Sequence, residues 1–303
     1  MAHRPSEPRR PARRGRRPAP SLPRPDAGHD VLIQLRGEAL RRRRVDPGLA
    51  GGLREWLEDG IAPAAAALPG GHPLVVGPRS LRSATDPSTD DRDDGPVGWP
   101  EPPSGPTRQL ARAALVGAIF RLLVTTGGIE EPLTEAVEAL GADRRGTSVL
   151  AFIDGLDPGE RAALHAEVIE HAAALGTGWP AIPPSWFPRT GDRISVPVAA
   201  GRVILTGGVD LVLGSPSAGR TSVCLVTLVS GLRRPGHQID RHYRGLLETL
   251  RSGAPPARLA TVYSPSCEVD AEDAPDQVLA GAVQRTIDGV VELCRRASGS
   301  PER

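Results

Sequence analysis

From residue 158 onward, the spacing of apolar residues switches between helical and strand periods in the order α-β-β-β-α-β-α, and this order constrains the fold most. Asp157-Pro158-Gly159-Glu160 reads as a capping box with proline in the first turn, which opens a helix reaching about Leu175. Residues 179–188, WPAIPPSWFP, form a stiff extended connection. Three apolar strands follow at 193–199, 202–213 and 222–229. The joins at Ala200-Gly201 and Ser215–Thr221 are turn-like, so the spacing predicts an antiparallel meander. Pro197 cannot donate to a ladder, which puts the first strand at an edge. A helix over 237–251 carries Ile239, Tyr243, Leu246, Leu247 and Leu250 at helical spacing. A strand over 258–263 comes next, then a helix over about 276–296 with Leu279, Val283, Ile287, Val290 and Cys294 on one face. Strands set between helices predict an α/β fold, a mixed sheet flanked by helices.

The rest of the chain divides by composition. Residues 1–29 are rich in Pro and Arg with few apolar side chains, and are expected to be a disordered tail. Residues 30–82 read as a small helical region. Within it, Asp46-Pro47 opens a helix with Leu49, Leu53, Trp56 and Leu57 on one apolar face, and Gly60 closes it. Residues 83–106 hold six Pro and five Asp and read as a linker. The acids at 90–94 lack the glycine and terminal glutamate of a calcium loop, so solvated charge is the better reading. Residues 107–150 are expected to be helical, with one helix apolar nearly all round, and to pack on a core spanning 151–297, which leaves 298–303 as a tail.

All 37 basic residues are arginine; the chain has no lysine. Residues 1–44 carry 13 Arg against Glu7, Asp26, Asp30 and Glu38, a net charge of +9, so the remainder carries −8 to give the chain's +1. An arginine-rich tail can bind phosphate without sequence preference. The longest apolar run, LARAALVGAIFRLLVTT at 110–126, is interrupted by Arg112 and Arg121, and the basic start has no apolar segment behind it. The expectation is a cytoplasmic protein without a membrane span. Cys224, Cys267 and Cys294 have neither disulfide nor zinc spacing, and Cys224 and Cys294 read as small buried hydrophobes.

One acid stands in the apolar strand VILTGGVDLVLG, at Asp210, and the strand after the next turn runs SVCLVTLVSG. With the element order, these residues resemble the core of the PD-(D/E)XK nuclease superfamily, in particular its RecB-like branch, over residues 158–297. In that family an Asp ends the second strand, and an acid-x-Lys motif on the third is often followed by Ser/Thr-Gly. A Gln or Tyr element sits on the next helix, and an acid or His on the first. Asp210 matches the first feature and Ser230-Gly231 the end of the second. Thr227 stands where the acid belongs and Val229 where the lysine belongs. Gln238 and Tyr243 approach the Gln-x-x-x-Tyr element but lie one residue too far apart. His165, Glu167, Glu170 and His171 are candidates for the upstream group; Glu167 and His171, four apart, share a face.

The chemistry implied by the resemblance needs every part. Two carboxylates hold Mg²⁺, the metal activates water and polarises the phosphoryl group, and lysine stabilises developing negative charge. Thr227 brings no charge and Val229 no polar atom, and arginine is a poor proton acceptor. Three functions follow. The first is a catalytically degenerate nuclease-fold protein with a DNA-associated binding or scaffolding role, in which Asp210 is vestigial and Arg233, Arg234, Arg241 and Arg244 meet phosphate. The second is an active Mg²⁺-dependent DNA nuclease with a rearranged site, using Asp210 and Glu167 for metal. The third is a protein-interaction module with no nucleic-acid role. DNA or a DNA-processing protein is the expected partner of the first. No Gly-Lys phosphate loop, nucleophile elbow or metal-spaced histidine set supports another enzyme class.

Overall fold

The computed structural model describes residues 27–36, 44–85, 107–143, 146–215, 220–221 and 223–299. The predicted tail at 1–29 lies almost wholly outside these residues, as do residues 86–106 of the predicted linker and most of the tail at 298–303. The described chain is α/β, a mixed six-stranded sheet with helices on both faces. In chain order the elements are α1 (Ala27–Arg36), α2 (Leu49–Ala66), β1 (Leu74–Val76), α3 (Pro78–Thr85), α4 (Arg108–Thr126), α5 (Pro132–Ala142), α6 (Gly146–Gly155) and α7 (Pro158–Gly178). There follow β2 (Arg189–Val198), β3 (Val203–Leu213), β4 (Cys224–Val229), α8 (Pro235–Ser252), β5 (Arg258–Tyr263), β6 (Glu268–Asp273) and α9 (Asp276–Ala297).

The strand order is β1-β3-β4-β5-β6, with β2 also on β3. The meander of β2, β3 and β4 is antiparallel, whereas β4 and β5 are parallel because α8 crosses between them. One apolar cluster joins the sheet to α2, α3, α8 and α9, and another joins its opposite face to α1 and α4 to α7. Strand alternation sorts β4 and the residue before it between them: Val223 and Leu225 face the first, while Cys224, Val226 and Leu228 face the second.

Local chemistry accounts for the element ends. Asp157 accepts hydrogen bonds from the Gly159 and Glu160 amides and opens α7 where the capping box predicted. Gly127 and Gly253, both left-handed, close α4 and α8. The helix α4 has the length and composition of a membrane span, and its residues from Ala114 to Phe120 are buried in the core.

The N-terminal half departs from expectation in three places. Gly60 does not end α2, which continues to Ala66. Its missing side chain instead admits Ile287 of α9, whose Cδ1 would lie 2.6 Å from an added Cβ. Trp56 is 42 % exposed, because the buried stripe is Leu53, Leu57, Ile61 and Ala65, a four-residue spacing that turns Trp56 outward. The short strand β1 escaped the sequence pattern; it is parallel to β3 through Leu74↔Val203 to Val76↔Leu205. Residues 44–85 are thus integral to the sheet and to one of its helical layers. A paired substitution tests the α2–α9 contact. Gly60→Val is expected to lower stability by about 1–3 kcal/mol through overpacking. Gly52→Ala, in the same helix with open space around it, should raise stability by about 0.5–1 kcal/mol. Urea unfolding of both variants reads the difference.

Candidate functional site

The strand β3 has two edges. Along one it pairs with β2 from Val203 to Val212. Along the other it pairs first with β1, at Val203–Leu205, and then with β4, at Leu211–Leu213. Between these two neighbours, Thr206 to Asp210 have no strand partner on that edge among the described residues. The strand β4 leaves β3 after Val226 but stays on β5 through Thr227↔Thr261, Leu228↔Val262 and Val229↔Tyr263. Two strands that pair at one end and part at the other leave backbone groups without ladder partners, and each must be satisfied otherwise.

Side chains fill the split. The Leu228 amide donates to Asp210 Oδ2 at 2.7 Å, so the carboxylate stands between the positions of Thr227 and Val229. Arg244 Nε donates to the Gly208 carbonyl at 2.7 Å. Tyr243 Oη and Thr206 Oγ1 donate to the Val76 carbonyl at 3.1 and 3.2 Å. Opposite Asp210 across the hairpin lies Gly191, between the pairs Thr190↔Leu211 and Asp192↔Val209, with φ of 68°. That left-handed conformation suits glycine. The burial pattern of β3 shifts at the same place: Val209 and Val212 face one cluster, Leu211 and Leu213 the other. A local twist thus lets Asp210 point along the sheet toward β4.

Burial pushes the Asp210 carboxyl above its ordinary pKa, against the Leu228 amide and the charges of Arg244 and Arg121, which favour the ionised form. Arg121 was not among the sequence candidates, although a charge inside an otherwise apolar helix signals a distant partner. Its stem passes Gly191, with Cδ 3.9 Å from where a Cβ would be.

The other candidates go elsewhere. Glu167 pairs with Arg108 at 2.6 Å and Arg112 at 3.4 Å, joining α7 to α4 at a half-exposed position. His171 Nδ1 lies 2.8 Å from Ser264 Oγ, which donates to the Val229 carbonyl at 3.2 Å. This chain ties α7 to the ends of β5 and β4. Ser264 is fully buried, so the pair is no nucleophile–base couple open to substrate. His165 is half-buried and Glu170 exposed. Arg241 and Arg244, expected to meet phosphate, are each only 3 % exposed. Arg241 is taken up by Glu272 at 2.6 Å, Asp270 at 3.2 Å and Thr261 at 3.2 Å. Gln238 donates to Glu272 at 3.2 Å, and His242 Nε2 lies 2.8 Å from the same carboxylate. Burial of the arginines follows from α8 lying against the sheet, where charged residues need partners. Arg233 is 60 % exposed, beside Asp270 at 2.9 Å and Glu268 at 3.7 Å.

The donor set does not fit Mg²⁺. Among the described residues no three His, Cys, Asp or Glu side chains come together as a metal site. Asp210 offers one carboxylate already held by an amide, and Thr227 and Val229 add no second. All three cysteines are buried; burial pushes Cys224 and Cys267 up to about 12, which makes them inert. Comparison with protein-family models and with curated proteins finds no match for this chain.

His171 supplies a pH signature. Burial, then the charge of Arg112, lowers its pKa from 6.5 to about 4. Between those values the unfolded chain binds a proton that the folded chain does not, so stability rises with pH across the window and is complete above it. A loss on the order of 2 kcal/mol is expected as pH falls from 6.5 to 4. His171→Gln should flatten the slope between pH 4.5 and 6.5 in thermal or urea unfolding.

Proposed function

We propose that this chain carries a PD-(D/E)XK-like core without the residues for phosphodiester cleavage, and that it serves as a DNA-associated binding or scaffolding protein. One observation supports this most. The acid of the second strand reaches the third strand between the two positions where the family keeps its acid and lysine, and there meets an amide flanked by Thr227 and Val229. Asp210 acts as a strut across the strand split. With Arg241 and Arg244 buried, phosphate contact falls to Arg233, Arg234 and the arginines ahead of α1. Arg233 is exposed, and its pair with exposed Glu268 is weak enough to exchange for phosphate.

Filter retention of duplex and single-stranded DNA across a salt series tests the binding role. Retention at low salt should fall steeply as salt rises. Arg233→Ala should weaken binding alike for all sequences and reduce the logarithmic salt slope by about one. No retention at low salt removes the nucleic-acid part of the proposal.

The alternative, an active nuclease with a rearranged site, draws on Arg121 and Arg244, whose charges act on the Asp210 carboxyl. Arg244 is already bonded to the Gly208 carbonyl, and among the described residues no group of three His, Cys, Asp or Glu side chains forms around Asp210.

A further inference from the structure

The strand β2 pairs with β3 from Arg189 to Val198 and, among the described residues, with no strand on its other side. An open edge of ten residues invites a strand from another chain. The rim strand β6 guards itself with charge, since Glu268, Asp270, Glu272 and Asp273 make up four of its six residues. The outer half of β2, ISVPV at 194–198, has no charge of its own. In an antiparallel ladder, alternate residues turn both N–H and C=O away from the paired strand. In β2 these are Arg193, exposed Ser195 and Pro197, which has no N–H to give the ladder. The carbonyls confirm the parity. Arg251 Nη1 donates to the Arg193 carbonyl at 3.4 Å, and Arg54 Nη1 to the Pro197 carbonyl at 3.3 Å. Gly208, opposite Arg193 on β3, likewise turns its carbonyl out of the hairpin, to Arg244. Both edge arginines are anchored behind the strand. Arg54 also donates to Glu58 at 3.2 Å and to the Leu250 carbonyl at 3.4 Å. Arg251 pairs with Asp192 at 2.8 Å and with Glu248 at 2.5 Å.

An unguarded edge of this sequence is complementary to itself. Antiparallel pairing about a two-fold axis at Ser195 sets that residue against its counterpart in a second copy, and the two exchange both of their backbone bonds. The same register sets Arg193 against the copy's Pro197, so each Arg193 amide donates to a Pro197 carbonyl. The missing Pro197 N–H leaves unfilled only the Arg193 carbonyl. This ladder therefore needs the Pro197 carbonyl, the one that Arg54 holds. It also brings Arg251, beside Arg193, against the copy's Arg54, cation to cation, and like charges set opposite each other are destabilising. We propose that Arg54 is an edge guard: seated on the Pro197 carbonyl, it keeps β2 from adding the β2 strand of a second copy. The guard is independent of the DNA-associated role and would remain if that role failed.

Sedimentation of the full chain over a concentration series tests it. The Arg54 side chain is 37 % exposed, so truncating it leaves the core intact. Arg54→Ala should move from the wild-type mass toward twice that mass as concentration rises. The Ser195 amide, on the open edge, should then exchange with deuterium severalfold more slowly than in the wild type. Adding Ser195→Pro removes the outward N–H without touching the β3 ladder, and should restore the wild-type mass. A wild-type mass in Arg54→Ala overturns the proposal. Association that survives Ser195→Pro also overturns it, since the contact then lies on another surface. Loss of the fold in Ser195→Pro alone does so too, because that amide would then belong to the β3 ladder.

Discussion

Asp210→Ala is expected to lower stability by about 2–3 kcal/mol, and Asp210→Asn by less than about 1 kcal/mol. The difference follows from what the carboxylate holds. Alanine leaves the Leu228 amide without its acceptor and removes the negative charge facing Arg121 and Arg244. A buried donor stripped of its partner bears the full desolvation penalty. Asparagine keeps an oxygen for that amide and escapes the burial that makes the charged form of Asp210 costly. Urea midpoints at unchanged slope give both values. Equal losses for the two variants would mean that Asp210 is needed for its charge, as a metal ligand is, rather than as an acceptor in the strand split.

The second large effect belongs to Glu272. Glu272→Ala is expected to destabilise by about 2–3 kcal/mol, since it leaves buried Arg241 with Asp270 as its remaining carboxylate and takes the acceptor from Gln238 and His242. That figure sits below the usual range for breaking a buried pair because Glu272 is itself a quarter exposed. Burial alone would raise the Glu272 pKa, but the hydrogen bonds from His242 and Arg241 and the charge of Arg241 bring it to about 2 from 4.5. Its contribution is therefore present above pH 4.5 and is lost as pH falls toward 2. The acid limb of the pH–stability profile below 4.5 should be shallower in Glu272→Ala. An unchanged limb would mean that other carboxylates dominate acid unfolding.

The strands and helices from residue 158 onward were legible because each has a long apolar period bounded by proline, glycine or a capping acid. Asp157 opening α7 and Pro197 on the outer strand are instances. The strand β6, EVDAED, alternates too weakly to be seen, and its role as partner of β5 and of Arg241 is set by tertiary contact. The three-residue strand β1 is too short for any period. The position of Asp210 beside the Thr227–Val229 segment was legible through the order of elements. What fills the split was not, because Tyr243, Arg244 and Arg121 come from two helices distant in sequence from β3. Arg241 and Arg244 misled for a physical reason. On a helix read as one-faced, arginines belong to solvent, but α8 is buried on most sides and carries its own ion pairs.

The most direct test of the central claim is incubation of the purified full chain with single- and double-stranded DNA in Mg²⁺ or Mn²⁺. If Asp210 is a strut, as proposed, both substrates should stay intact, with wild type and Asp210→Asn indistinguishable. Metal-dependent cleavage by the wild type that disappears in Asp210→Asn would contradict the account and make Asp210 a catalytic ligand.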